Sequence, residues 1–393
     1  MKGTRFLFAV MMAASMLVCG LTVGPVLAQQ AIKVGAVQPI TGRFAFAGVN
    51  IDAGLKDALG MANEAGGING KKIEYIMEDG QYDMKVATAA FKRIMSRDNP
   101  LIMYGESTGL GKAMGPEIKD RYKILYSSTS FSSELANVKE NPYVFVSGPT
   151  YSDMFGILLK YIAKEKPGAK IAFFYSDTEF GKDPIPYGRE MCKKLKLELV
   201  AEEVAQVGAV DVTSQVLDLK RKNPDYVIFQ GFVVSPVAEV IKQCRDFGMT
   251  CKFMGTFWGA TMMLLDKLGP LAEGYLAVNP YTYWWQEEIP MIKKIREYTK
   301  KHYPKVEFRD NSYMQGFVTG LILVEALKKA DKAGQLNGEG LVKALQSIKD
   351  MDTQGLAAPL TWKNNKFPVA RIWKANVQKK IYEPVSDWIT LED

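Results

Sequence analysis

Histidine is almost missing from this chain: His302 is the only one in 393 residues. Cysteine is scarce too, with four residues, no CxxC spacing and no histidine near any of them. A usual zinc site and a usual hydrolase triad therefore lack their ligands and their base. His302 itself sits in the stretch KKHY at a helix end, a solvated position. A phosphate loop is lacking as well. In YGESTGLGKAM the first glycine of GxxxxGK[ST] would fall on Glu106 and the last hydroxyl on Ala113. No GxGxxG follows a strand, which removes the fingerprint that an exported oxidoreductase on a doubly wound fold would need. Basic residues such as Lys328, Lys329 and Lys332 are spread over helix faces without a dense run or interleaved aromatics, so nucleic acid is not an expected partner. The carboxylate pairs Glu202-Glu203 and Glu287-Glu288 read as surface charge and give no basis for a glycosidase.

Long apolar runs are also rare. The one near the start, residues 6–18, is shorter than the ~20 residues of a spanning helix. Preceded by Lys2 and Arg5 and followed by Val26-Leu27-Ala28, it has the three parts of a secretion signal cleaved before Gln29. The expected leader is thus 1–28. Cys19 follows Val18 rather than a small residue, which argues against a lipid anchor. Removing Lys2 and Arg5 lowers the formal charge from +7 to +5, a modest excess. The remainder is longer than one typical domain and suggests two.

What fills that length is an alternation of strand-like and helix-like runs. IKVGAVQPI, a helix over 49–65 stopped by Gly66-Gly67, KKIEYIMED, a helix over 83–97, LIMYG, a helix over 111–121, KILYSS and YVFVSG make one series. KIAFFYSD, ELVAEEV, YVIFQGF and KFMGTFWG, with helices over 151–164, 186–196, 211–222 and 236–247, make another. Apolar strands separated by amphipathic helices require crossovers, so parallel sheets are predicted. The fold class is α/β: two doubly wound parallel-sheet lobes joined by a hinge, with a ligand cleft between them. The tail adds YLAVNPY, helices over 287–302, 311–330 and 340–348, and strand-like LTWKNN and ARIWKANV. The expected lobes are 29–146 plus 278–352, and 147–277 plus 353–393. Cys244, late in a helix, and Cys251, just before the next strand, form a candidate disulfide. Cys192 reads as a buried thiol.

Open α/β sheets bind ligands beyond the carboxyl ends of their strands. In the first lobe two such loops are rich in hydroxyls: Glu106, Ser107, Thr108 and Gly109 after one strand, and Ser128, Thr129, Ser130 and Phe131 after the next. Helix capping would explain either loop alone. Two neighbouring loops make a cradle of hydroxyls and helix-start N–H groups suited to a carboxylate. In the second lobe aromatics recur after strands: Phe180, Phe232, Phe257 and Trp258, then Tyr283 at the later crossover. Together they suggest an aromatic wall for an apolar or ring-bearing ligand.

The order of IKVGAVQPITGRFAFAG, NEAGGINGKKIEYIMED with Asp79, the loops at Gly105 and Ser127, the Phe180-Gly181 turn and FMGTFWG resembles the branched-chain amino acid (Leu/Ile/Val-binding) family of type I periplasmic solute-binding proteins, over nearly all of residues 32–393. The resemblance implies a monomeric periplasmic receptor without a cofactor, which captures a small molecule by hinge closure and offers it to an ABC transporter permease. It also implies that the loops at Glu106 to Gly109 and Ser128 to Phe131 hold the ligand's carboxylate. Separately from the resemblance, Arg43 is a candidate salt-bridge partner for that carboxylate, with a solvated loop arginine the alternative. Family members that bind amino acids use a tyrosine where this chain has Phe180, and a glutamate beside the ammonium where it has Phe257. An aromatic or aliphatic acid is therefore expected over leucine, with an amine rescued by Glu106 as one alternative and a sensory receptor of the same fold as another.

Overall fold

A computed structural model describes residues 30–391, so the expected leader lies outside the described residues. Strands β1 (Ile32–Gln38), β2 (Ile73–Asp79), β3 (Ile102–Gly105), β4 (Leu125–Ser128) and β5 (Val144–Phe145) form a first sheet in the order β2-β1-β3-β4-β5, parallel throughout. The second sheet contains β6 (Lys170–Ser176), β7 (Glu198–Ala205), β8 (Tyr226–Gln230), β9 (Lys252–Gly255) and β10 (Leu276–Asn279), parallel in the order β7-β6-β8-β9-β10. β11 (Val369–Asn376) then pairs antiparallel with β10, β12 (Ile381–Pro384) and β13 (Ile389–Thr390). The chain is thus two α/β lobes, each doubly wound.

Parallel pairing follows from buried strands that need crossovers. In β6, Ile171, Phe173 and Tyr175 face one apolar core while Ala172 and Phe174 face the other. Both faces are covered, as parallel sheets require. The antiparallel additions depart from the parallel expectation because β11 and β12 are joined by only residues 377–380, too few for a crossover. The expected strand LTWKNN is also corrected. Its backbone forms isolated bridges instead, Leu360 with Met351 and Lys363 with Lys366 across a turn.

The expected lobe crossing at 278 falls inside β10, whose neighbours β9 and β11 both lie in the second sheet, so the chain leaves that sheet only after Asn279. It returns to the first lobe through the helices Pro290–His302, Asn311–Lys332 and Gly338–Gln346. Helix Asn311–Lys332 lies so close to helix Ala45–Glu64 that glycine is required on both: a Cβ at Gly54 would sit 2.1 Å from the Tyr313 carbonyl, and one at Gly316 equally near that of Ile51.

The Cys244–Cys251 bridge is not present. Helix Val237–Asp246 and the turn bond from Met249 N–H to the Cys244 carbonyl, 2.9 Å, bring the two residues together, but as buried free thiols sharing a hydrogen bond. Cys192 is buried as expected, and burial pushes its thiol up to about 12.

Candidate ligand-binding site

In the strand order β2-β1-β3 the chain reverses its winding direction between β1 and β3, leaving a crevice at their carboxyl ends. Pro39 leaves β1 and Glu106 leaves β3 there, and both line a cavity of about 390 Å³ of empty space, its open mouth included. The first lobe also supplies Phe44, Gly48, Ile51, Tyr82, Ser107, Thr108, Thr129 and Ser130 to this lining. From the second lobe come Tyr151, Phe180 and Trp258.

The polar wall is assembled by local capping. Ser107 caps helix Thr108–Glu117, its hydroxyl accepting the Leu110 N–H at 3.1 Å. The first N–H groups of a helix have no intrahelical acceptor, so this helix start adds donors to the wall. Thr108 and Ser130 hydroxyls lie 2.7 Å apart, and the Thr129 hydroxyl donates to the Glu106 carbonyl at 2.5 Å. Behind the loop, Gln315 Nε2 donates to the Thr129 carbonyl at 2.9 Å. The loop after β1 is pinned by Asp79, which accepts from the Ile40 and Thr41 N–H groups and the Thr41 hydroxyl. Burial works against the Asp79 charge, yet these bonds hold its carboxyl below the usual range.

The opposite wall is aromatic. Trp258 Nε1 donates to the Tyr151 hydroxyl at 3.0 Å, and Phe180 packs against both rings, 5.1 Å from Tyr151 and 6.3 Å from Trp258. Phe180 is carried on a tight turn whose glycine cannot be replaced without movement, because a Cβ at Gly181 would meet the Ser176 carbonyl at 2.1 Å. None of the second-lobe lining residues carries a carboxylate or a basic group.

Six of the thirteen expected ligand contacts line the cavity: Glu106, Ser107, Thr108, Thr129, Phe180 and Trp258. The others do not. Arg43 is exposed, its guanidinium over the Tyr82 ring at 5.6 Å, and Gly109 lies one position too far along the helix. The Ser128 hydroxyl accepts from the Ser130 N–H, shaping the loop from below. Phe131 and Phe257 pack edge to face at 5.1 Å behind the wall. Phe232 is core, packed against Phe174, and Tyr283 is core too, stacked on Trp285 with its hydroxyl on the Ala260 carbonyl. Sequence reasoning missed Phe44, Tyr82 and Tyr151. The signal for Tyr82 was available, since it follows β2 in the way Glu106 follows β3.

One acid stands in this lining. Glu106 is 2% exposed, and burial, with Asp79 and Asp83 adding negative charge nearby, raises its carboxyl to about 7 against the pull of the Tyr82 N–H.

The lobes also touch across the cleft. Asp183, just after Phe180 in the second lobe, accepts from the Ser132 hydroxyl and, at 3.0 Å, from the Ser133 N–H of the first. Lys112 reaches Glu179 at 2.5 Å from the same side. Charge-assisted bonds to the half-buried Asp183 carboxylate exceed an exposed ion pair in strength. Asp183→Ala should therefore raise a ligand's Kd about tenfold by favouring the open form, whereas Lys112→Ala should change it less than about threefold. Calorimetric titration of the two variants checks this, and equal effects would contradict it.

Residues 31–380 match the family described as periplasmic binding protein. The Leu/Ile/Val-binding protein of Escherichia coli K12 is 23% identical over 333 residues, covering 84% of this chain and 86% of its own. Among solved structures, a branched-chain amino acid ABC transporter protein from Thermus thermophilus with bound valine superposes with a TM-score of 0.84 at 24% identity, over 93% of this chain and 98% of that one. A fatty acid ABC transporter substrate-binding protein from Thermomonospora curvata superposes with a TM-score of 0.80 at 23% identity, over 92% and 93%.

Proposed function

This chain belongs to the periplasmic binding protein family, a family of substrate-binding receptors and not of enzymes, and from that membership we propose that it captures a small carboxylic acid with an apolar body for an ABC importer. The observation that carries this reading is the asymmetry of the cleft. A hydroxyl and N–H wall in one lobe faces Tyr151, Phe180 and Trp258 in the other. The ligand's carboxylate sits at the start of helix Thr108–Glu117, where the helix dipole and orphan N–H groups favour an anion. Its ring or alkyl chain lies against the aromatic wall. Closure of the lobes over it forms the state presented to the permease, and the ligand shifts the population only by its extra affinity for that state. Among the described residues no helix is long and apolar enough to cross a membrane. No reaction on the ligand is required. The protein acts as a monomer in the periplasm.

The aromatic wall supplies no ionised acceptor for an ammonium group, and burying one without a counter-charge costs several kcal/mol. The fatty acid binding protein of Thermomonospora curvata is consistent with an acid lacking an amine. The second reading is an amino acid, favoured by the Glu106 carboxylate in the cavity and by the valine-bound relative. A thermal-shift screen of the mature chain against benzoates, phenylpropenoates, fatty acids and amino acids separates them, because a ligand bound only by the native state raises its stability. Stabilisation by acids without an amine supports the first reading. Stabilisation by amino acids alone overturns it.

A further inference from the structure

Glu106 is poorly matched to the ligand just described. Its side chain lines the cavity one residue before the cap of helix Thr108–Glu117, so it stands beside the place where the ligand's carboxylate is held. It is almost wholly buried, and its one hydrogen bond among the described residues comes from the Tyr82 N–H to Oε2 at 3.2 Å. The lining contains no lysine, arginine or histidine that could neutralise a second negative charge.

The groups facing Glu106 from each neighbouring element make the same point. Asp79 at the end of β2 and Asp83 at the start of the next helix are both acidic. Tyr82 above it and Tyr126 on β4 below it are phenols held neutral by burial and by the Glu106 charge. Arg43 lies beyond the Tyr82 ring and is exposed to solvent. Across the cleft Tyr151 is a buried phenol, and Phe180 and Trp258 carry no charge. Two carboxylates enclosed together without a cation cannot both ionise, and one of them must hold a proton.

Resting on the acid-binding reading, we propose that Glu106 enters the complex as a neutral carboxylic acid and donates its O–H to the ligand's carboxylate, so that capture from alkaline solution takes up close to one proton with each ligand. The proton comes from solvent and stays on Glu106, hydrogen-bonded to a ligand oxygen. No covalent bond is made. Glu106 already favours its protonated form more than a free carboxyl does, which assigns the proton to the protein and not to the ligand. The consequence for specificity is that the site selects anions able to accept this bond, and it repels an acid wherever Glu106 is ionised.

The test is titration calorimetry with benzoate, 3-phenylpropenoate and octanoate between pH 6 and 8.5, in buffers of differing ionisation enthalpy. For the acids that bind, Kd should be flat near pH 6 and rise towards tenfold per pH unit above 7, reaching about 30-fold at pH 8.5. Proton uptake should approach one per ligand at pH 8. Glu106→Gln keeps a donor in place without a titrating charge, so its affinity should be flat with pH and its proton uptake zero. Wild-type binding that is independent of pH, or that proceeds without proton uptake at pH 8, overturns the proposal while leaving the acid receptor intact. Affinity that strengthens as pH rises also overturns it, since the acids would then bind best beside an ionised Glu106. If none of the three acids binds at any pH, the acid receptor reading fails and this proposal fails with it. The wild-type proton count decides the matter even if the variant does not fold.

Discussion

Replacing Trp258 by alanine should weaken capture of an apolar acid about a hundredfold, a loss of about 2 to 3 kcal/mol. Trp258 is 8% exposed, makes an edge contact with Phe257 at 5.1 Å and donates its only N–H to Tyr151. Truncation removes the largest apolar face of the wall. It also leaves the Tyr151 hydroxyl without its donor and lets water into the site. Trp258→Phe keeps much of the area and loses the N–H, so it should fall between, at about tenfold. Titration of both variants with the tightest-binding acid, with circular dichroism to check folding, reads this out. Affinity unchanged in a folded Trp258→Ala protein would mean that the aromatic wall does not touch the ligand.

The second large effect concerns stability. Asp57 on helix Ala45–Glu64 and Arg309, just before helix Asn311–Lys332, form an ion pair at 3.2 Å with side chains 0% and 7% exposed. The Tyr313 hydroxyl donates to the same Asp57 oxygen at 2.8 Å, and the guanidinium lies 4.5 Å from the Tyr313 ring centre. Such a pair adds little over a well-packed apolar pair, but breaking it strands a charge. Asp57→Ala should cost about 3 to 5 kcal/mol and lower the Tm by on the order of 10 °C. Asp57→Leu combined with Arg309→Leu should recover most of that loss. A drop below about 1 kcal/mol in the single variant would show that Arg309 reaches water once released. The pair also bears on the site, because it fixes the start of the helix from which Asn311 Nδ2 donates to the Phe257 carbonyl and Gln315 holds the Thr129 carbonyl.

Apolar periodicity makes the paired doubly wound lobes legible in the sequence alone. Gly66-Gly67 stopped its helix where expected, both residues having positive φ. Loops after strands located the hydroxyl wall for the same reason, since strand ends are set by composition. Which side of a residue a loop presents depends on packing across elements, and that is not a property of one segment. Phe232 and Tyr283 have the composition of a wall, but their partners Phe174 and Trp285 draw them into the core. Tyr82 enters the cavity because its backbone adopts φ 55°, with its ring tilted against that of Phe44 at 4.2 Å. A positive φ at tyrosine is uncommon, so the position of Tyr82 after β2 was legible while the direction of its side chain was not. The antiparallel end of the second sheet was hidden for a related reason: ARIWKANV is strand-like, but nothing within it says which sheet receives it or that a strand turns back at residues 377–380.

The most direct test of an acid receptor is one calorimetric comparison at pH 6.5 between leucine and 4-methylpentanoate, the same molecule without its amine. The cleft described here should bind 4-methylpentanoate more tightly, because no ionised acceptor waits for the ammonium in the aromatic wall. Tighter binding of leucine would contradict that account and place the ammonium on Glu106.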